Sequence, residues 1–446
     1  MKEKINFKNN TKIIFYIYPI IMMFPSGYIT SYVTIFTLFT FYYFYKFKIK
    51  IRLFLIDYLL ILFFFISFLS TLINFKSDYI ILFKSLSDFR FALLFLVIRN
   101  LFIYKIIEFR ILFLITLFCT IFLSSDIFLQ HILGRDIFGY APSDGRYNGS
   151  FNDEAIAGSY IQKFFITSII AILFSNLSYK NKSFFLLFFI NFIGLGILFS
   201  LDRMPFFIYF FILLLIAFLI KNYKYIFISV SIISFIFFII IFENNSKINY
   251  RYKTLQNELN FIKVFNIISM RDDIGLNKNP TSEELLDYED SISNKPFFKG
   301  DYSRIIYSAY QVSKDKFLIG SGIKSFTVKC KELYKIDKTL LCAPHPHNLY
   351  LEILVSAGIL GLFIFIFFLY NIIMENLKII IYKNNIDKKN LVILSLILII
   401  SEVFPLRSYG SILQTVNGSM FWYLIAIASA LPFVKIKILK NNKNLN

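Results

Sequence analysis

Residues 345–361 read HPHNLYLEILVSAGILG, a string that ends a long polar segment and begins an apolar helix. The chain has three histidines, His131, His345 and His347, and two of them stand here beside Asn348. The position is the lip of a predicted membrane span. A neutral imidazole at the first turn of a helix, with water on one side and lipid on the other, suits a general base for a membrane-bound substrate. Histidines also decorate membrane interfaces without doing chemistry, so position alone does not decide. After nine further residues comes a Gly-x-x-Gly pair, Gly358 and Gly361.

Working outward, the helix that opens here is one of many. Of the 446 residues, 57% are hydrophobic, which excludes an ordinary soluble protein. Apolar runs long enough to cross ~30 Å of hydrocarbon recur along the chain. Hydropathy windows predict about twelve helices, at 13–25, 28–45, 54–73, 79–103, 111–129, 155–178, 184–200, 205–220, 225–242, 348–374, 391–404 and 418–436. The expected class is an all-α polytopic membrane protein. Residues 1–242 form an N-terminal transmembrane region of about nine helices, 243–347 a large polar loop, and 348–446 a C-terminal region of about three. The Lys-rich start (Lys2, Lys4, Lys8, Lys12) runs into the first span with no small-residue cleavage site, so no cleavable signal peptide is expected.

A net charge of +19 could suggest nucleic acid, but its distribution excludes that partner. If the N-terminus is cytoplasmic, the inside segments carry Lys46, Lys48, Lys50, Arg52, Lys105, Arg110, Lys180, Lys182, Lys221, Lys224, Lys378, Lys383, Lys388 and Lys389. The short outside loops carry only Lys76, Arg135, Arg146, Arg203 and Arg407. This is the positive-inside asymmetry, and it predicts an even number of spans with both termini cytoplasmic. The large loop is then periplasmic and too long for a simple connector. Its acidic stretch (Glu283, Glu284, Asp287, Glu289, Asp290) reads as a solvated helix or loop. A helix capped by Asp301 is expected at 302–315, then a turn at Gly320 and Gly322, then a second helical segment.

Outside arginines are sparse, so each can be weighed. Arg203 lies in SLDRMPFF, with Pro205 placed to start the next helix. Arg304 lies in GDYSRIIYSAY and Arg146 in GRYNGSFND. Singly they read as a snorkelling residue or partner of Asp202, a surface charge and a loop brace. Together with a helix-start histidine they look like an anion site, because the guanidinium fork suits pyrophosphate oxygens and helix N-termini add N–H donors. Within the predicted span 79–103, the spacing of Lys84, Asp88 and Arg90 lets them pair on one face, where they could line the acceptor or carrier cavity. Cys330 and Cys342 are both exported by this topology into an oxidising compartment, and the eleven residues between them allow a turn and return. They are expected to form a disulfide.

The string from His345 to Gly361 resembles the signature of the bacterial O-antigen ligases and the related O-antigen polymerases and protein O-oligosaccharyltransferases. KDKFLIGSGIKSF resembles that family's stretch ahead of its histidine, and GRYNGSFNDEAIAG its earlier loop, from which the acidic pair Asp153 and Glu154 departs. The resemblance implies a GT-C-like bundle in the bacterial inner membrane. The implied reaction is metal-independent, inverting and cofactor-free: a glycan on undecaprenyl pyrophosphate is attacked by an acceptor hydroxyl at the periplasmic face. It implies His347 as the catalytic base, since it is the histidine followed by Asn348. Arg203, Arg304 and Arg146 would hold the pyrophosphate, with Asn348, His345, Gly358 and Gly361 supporting. The complete histidine and glycine spacing favours ligation to lipid A core over polymerisation of lipid-linked repeats. A polysaccharide transporter, which would place ionisable residues such as Lys84, Asp88 and Arg90 within spans, is the reading from another class.

Overall fold

The protein is described here by a computed structural model covering residues 2–24, 26–75, 78–143, 145–253, 301–408, 410–413 and 415–434. The acidic stretch at Glu283, Glu284, Asp287, Glu289 and Asp290 lies outside the described residues, as does Lys76. The described residues form α-helices α1 (Lys2–Ile21), α2 (Ser26–Lys46), α3 (Leu55–Asn74), α4 (Tyr79–Ser87), α5 (Phe89–Ile103), α6 (Phe109–Leu133), α7 (Ala157–Leu173) and α8 (Tyr179–Phe199). They continue as α9 (Arg203–Leu219), α10 (Lys224–Asn244), α11 (Ser246–Lys253), α12 (Asp301–Asp315), α13 (Ser325–Tyr334), α14 (Leu349–Tyr382), α15 (Ile386–Glu402) and α16 (Thr415–Ala430).

Helix is present in every segment where a span is expected. Among the described residues, six helices qualify by length and hydropathy together to cross a membrane: Leu55–Asn74, Phe109–Leu133, Tyr179–Phe199, Lys221–Asn244, Leu349–Tyr382 and Val416–Phe433. The remaining segments fall short for visible reasons. α7 and α9 are apolar but short, α1 opens on lysines and asparagines, and α15 opens on Asp387, Lys388 and Lys389. The segment 79–103 is two helices rather than one, broken at Asp88.

Both α10 and α16 are apolar all round, and their surroundings differ. α16 is buried on nearly every side, packed on α2, α5 and α15, whereas α10 is mostly exposed on the rim, where only lipid can satisfy it. Trp422 of α16 is fully buried and donates Nε1–H to the Ile412 carbonyl at 3.1 Å. Tyr423 stacks on Tyr18 with ring centroids 4.2 Å apart.

Ionisable side chains inside the bundle are more numerous than expected from the Lys84, Asp88 and Arg90 cluster alone. Arg99 is fully buried between Asp57 (2.9 Å) and Glu375 (3.5 Å). Lys163 and Arg407 both pair with the buried Glu402, at 3.4 and 3.1 Å. Each group is matched, because an unpaired charge in such an interior would be costly.

The feature that positions the functional region is a break in α14. Gly358 adopts φ 66°, ψ −170° inside the helix, which frees backbone groups on both sides. The turn at 317–322 satisfies them: Ser321 N–H donates to Val355 O (2.7 Å) and Gly322 N–H to Ser356 O (3.1 Å). In return Ile359 N–H donates to Phe317 O (2.9 Å) and Leu360 N–H to Leu318 O (3.3 Å). Irregular backbone within an apolar bundle is tolerated when protein supplies the missing partners. The same turn is tied to α3 by Asn74 Nδ2–H donating to Gly320 O (3.2 Å) and Ile323 N–H donating to Thr71 Oγ1 (3.0 Å).

Candidate active site

His347 sits in the left-handed region at φ 54°. That conformation is rare for a residue with a Cβ and is a local cost that the surroundings sustain. Those surroundings are well defined. Asn348 N-caps α14, its Oδ1 accepting from Tyr350 N–H (3.0 Å) and Leu351 N–H (3.2 Å). Its Nδ2 donates to Pro405 O (2.8 Å), and Tyr350 Oη donates to Val403 O (2.6 Å), pinning the helix start to the 403–405 loop. On the other side Cys330 and Cys342 are joined as a disulfide, with Cα atoms 5.5 Å apart. Thr327 Oγ1 donates to Ala343 O at 3.1 Å, so α13 holds the short extended run that carries both histidines.

The His345 and His347 rings lie 4.1 Å apart, centroid to centroid, and Tyr302 of α12 presents an edge to His347 at 5.7 Å. Burial, and then the neighbouring His345, push the His347 imidazole down to about 4. It is therefore neutral at physiological pH and able to accept a proton.

Opposite the histidines is the turn before α9. Leu201 is held at φ 64°, and Gly158 at the start of α7 lets the turn approach closely: a Cβ there would lie 2.7 Å from Asp202 Oδ2. Asp202 Oδ1 accepts from Arg146 Nη1 at 2.9 Å, while Arg146 Nε is buried without a hydrogen-bond partner. Arg203 is the first residue of α9.

These pieces surround one cavity of about 260 Å³, whose walls include Arg146, Arg203, Tyr302, His345 and His347. Two guanidinium groups, the start of α9 and a neutral imidazole thus face one space. Such a set can hold a di-anionic phosphate ester and remove a proton from a group beside it. Arg304 is not brought there. Its Nε and Nη2 donate to the carbonyls of Thr339 (2.9 Å) and Leu340 (3.2 Å). The expected anion ligand is instead a brace for the chain returning to Cys342, because a guanidinium fork fits a pair of carbonyls as well as a phosphate. Gly358 and Gly361 lie further down α14, below the cavity, and act on its framework rather than its walls. Tyr302, Ser408, Gly410 and Asn417, which also line this cavity, escaped the sequence reading. Tyr302 stands two residues before Arg304, where the arginine drew attention to itself.

A second cavity of about 390 Å³ lies across the 146–156 loop, between α1 and α6. Phe118, Phe122 and Met23 make it apolar, and Asp153 and Glu154 stand on its wall. Burial and Asp153 raise the Glu154 carboxyl.

Residues 184–366 match the family described as O-antigen ligase. That stretch contains Arg203, Arg304, the disulfide, both cavity histidines and the glycine pair, and over it the chain is similar to the O-antigen ligase family. The match suggests a membrane glycosyltransferase of the O-antigen ligase or polymerase type. No curated protein matches the chain.

Proposed function

We propose that the protein transfers a glycan from undecaprenyl pyrophosphate to an acceptor hydroxyl at the periplasmic face of the bacterial inner membrane, and that the acceptor is lipid A core. One observation carries this reading: His347, Arg146 and Arg203, distant in sequence, line a single cavity. The twelve helical segments then serve as spans of a GT-C-like bundle with both termini cytoplasmic, which leaves the histidine cavity outside. The acceptor hydroxyl attacks the anomeric carbon of the donor sugar, its proton passes to His347 Nε2 or Nδ1, and pyrophosphate leaves with its charge met by Arg203 and Arg146. The attacking oxygen enters opposite the leaving group, so the anomeric configuration inverts. Pyrophosphate departs as a stable anion, and this chemistry calls for no metal. The buried, partnerless Nε of Arg146 is consistent with a ligand oxygen at that point.

Deleting the gene and resolving the lipopolysaccharide on gels tests the proposal. Loss of every ladder band, with undecaprenyl-linked polymer accumulating, is the expected result. Product limited to a single repeat would make the protein a polymerase of lipid-linked repeats, and an unchanged profile would overturn both.

A further inference from the structure

A group of basic side chains outside the cavity remains without a role in this scheme. Lys84 stands in the last turn of α4, Arg90 in the first turn of α5, and Lys324 follows the turn that wedges into the α14 break. The expectation that Lys84, Asp88 and Arg90 pair along one helix face is corrected by the break at Asp88. Arg90 and Asp88 are in contact at 3.9 Å, and Lys84 instead meets Lys324.

Three observations show that this grouping suits an anion. Lys84 and Lys324 lie near each other and Asp88 acts on both Arg90 and Lys324, so three cations face one adjacent carboxylate and positive charge is left over. Lys324 is held in the left-handed region at φ 62°, while the preceding residue is anchored by Ile323 N–H donating to Thr71 Oγ1. Backbone cost of this kind gathers at ligand-binding positions. Arg90 Nε is buried without a hydrogen-bond partner. Among the described residues the acidic groups facing the cluster are Asp88, which Arg90 and Lys324 share, and Glu352, whose Oε2 accepts from Ile412 N–H at 3.0 Å.

Its location relative to the histidines gives the site meaning. A narrow slot runs past Lys324, Pro344, His345 and Glu352, and His345 is also a wall of the cavity that holds Arg203. One imidazole therefore separates the two spaces. α4, alongside, exposes Tyr79, Ile80, Phe83 and Leu86, a face that only lipid would cover in a membrane. The cluster thus opens toward the bilayer at the outer end of the bundle.

We propose that Lys84, Lys324 and Arg90 form a second anion site, for a phosphate group on the membrane-anchored acceptor, across His345 from the donor arginines. This rests on the transferase reading and adds what it lacks, a place for the second substrate. A donor held by Arg203 and an acceptor held by Lys324 would meet at the histidine pair. The phosphate can belong to lipid A core or to the pyrophosphate of a second lipid-linked glycan, since both are phosphorylated glycolipids.

The test uses the whole protein in nanodiscs with saturating undecaprenyl-pyrophosphate-linked glycan. The acceptor is phosphorylated lipid A core, the same lipid after phosphatase treatment, or a second lipid-linked glycan. K84Q/K324Q should raise KM for the phosphorylated acceptor about tenfold, the scale of one lost charge-assisted contact. KM for the donor, titrated separately, should stay at the wild-type value, which also reports an intact fold. The dephosphorylated lipid should show no difference between variant and wild type, and K84R/K324R should recover most of the loss. Lys329, half-buried and paired with Glu332 at 3.1 Å, supplies the control K329Q, with no effect expected. A lysine effect with lipid A core assigns the phosphate to that lipid, and an effect confined to the lipid-linked acceptor assigns it to the carrier. Unchanged acceptor KM in K84Q/K324Q, or an equal rise in donor KM, overturns the proposal. Absence of transfer by the wild type to every acceptor would instead overturn the transferase reading beneath it.

Discussion

Gly320 and Gly358 meet backbone to backbone: a Cβ on Gly320 would lie 2.5 Å from the Gly358 amide nitrogen, and a Cβ on Gly358 would lie 2.6 Å from the Gly320 nitrogen. The close approach lets the 317–322 turn supply the hydrogen bonds that the break in α14 leaves open. Two glycine motifs far apart in sequence are thereby one structural device, and His345 and His347 sit at the head of the helix it shapes.

Gly358→Ala is consequently expected to be damaging without touching substrate. The φ 66°, ψ −170° conformation is open essentially to glycine alone, and the added carbon would also strike the Leu318 carbonyl. Strain and clash together should cost about 3 kcal/mol or more. Thermal melting of the detergent-purified protein should show the loss, with transfer activity falling alongside. A variant as stable and active as the wild type would mean that α14 closes into a regular helix.

His347 is expected to be indispensable and His345 to act by position. His347→Ala should abolish transfer while the protein stays in the membrane. His347→Asn should do the same with less disturbance, because asparagine tolerates a positive φ. His345→Ala should retain measurable activity. The pH profile is a sharper probe. The base must be neutral, and its imidazole is pushed down to about 4, so kcat/KM should stay level through the ordinary histidine range and fall only near that value. The other titratable or charged cavity groups are Arg146, Asp202, Arg203, Tyr302 and His345. Removing His345 takes away a neighbour that disfavours protonation, so the acid limb of His345→Ala should move upward. Full activity in either His347 variant would sink the base assignment.

How much of this was legible in the sequence follows the range of the interactions involved. The turn at Gly320 and Gly322 is local, and it stands where the residues themselves imply. The pairing of that turn with Gly358 is not local, so the glycine pair read as a motif without a mechanism. Asp57, Arg99 and Glu375 were missed because each is one charge in an apolar run and reads as a snorkelling side chain. Only the packing of α3, α5 and α14 brings them within reach of one another. Arg304 shows the opposite error: the chemistry of its fork was read correctly, but its acceptors are carbonyls, and the sequence does not say which oxygens arrive.

Arg203 and Arg146 are expected to differ in a measurable way. Arg203→Ala should lower transfer about a hundredfold or more, the scale for removing a group that meets transition-state charge. Arg203→Lys should recover only partly, because an ammonium cannot make the forked contact. Arg146 already spends one nitrogen on Asp202, so Arg146→Ala should be milder, and Asp202→Asn should weaken activity by releasing Arg146 from its position. Steady-state rates of the four variants with one donor decide this. A lysine at 203 as effective as arginine would leave only a simple charge or topology role.

The disulfide between Cys330 and Cys342 should stabilise the segment that delivers the histidines. It closes a loop with a sequence separation of 12, which in the chain-entropy model contributes roughly 3 kcal/mol. The bond joins α13 to the chain three residues before His345, where Thr327 and Arg304 add hydrogen bonds to the same run. C330S/C342S should therefore melt at lower temperature and lose activity through misplacement of His347. The pH at which its remaining kcat/KM falls should shift upward as the ring gains water. Mass spectrometry of alkylated, non-reduced protein gives the direct check: neither cysteine should label before reduction. A membrane-impermeant thiol reagent should reach both from the periplasm once the bond is reduced. Free labelling of both in air-exposed protein would remove the bridge, and labelling only from the cytoplasmic side would overturn the topology.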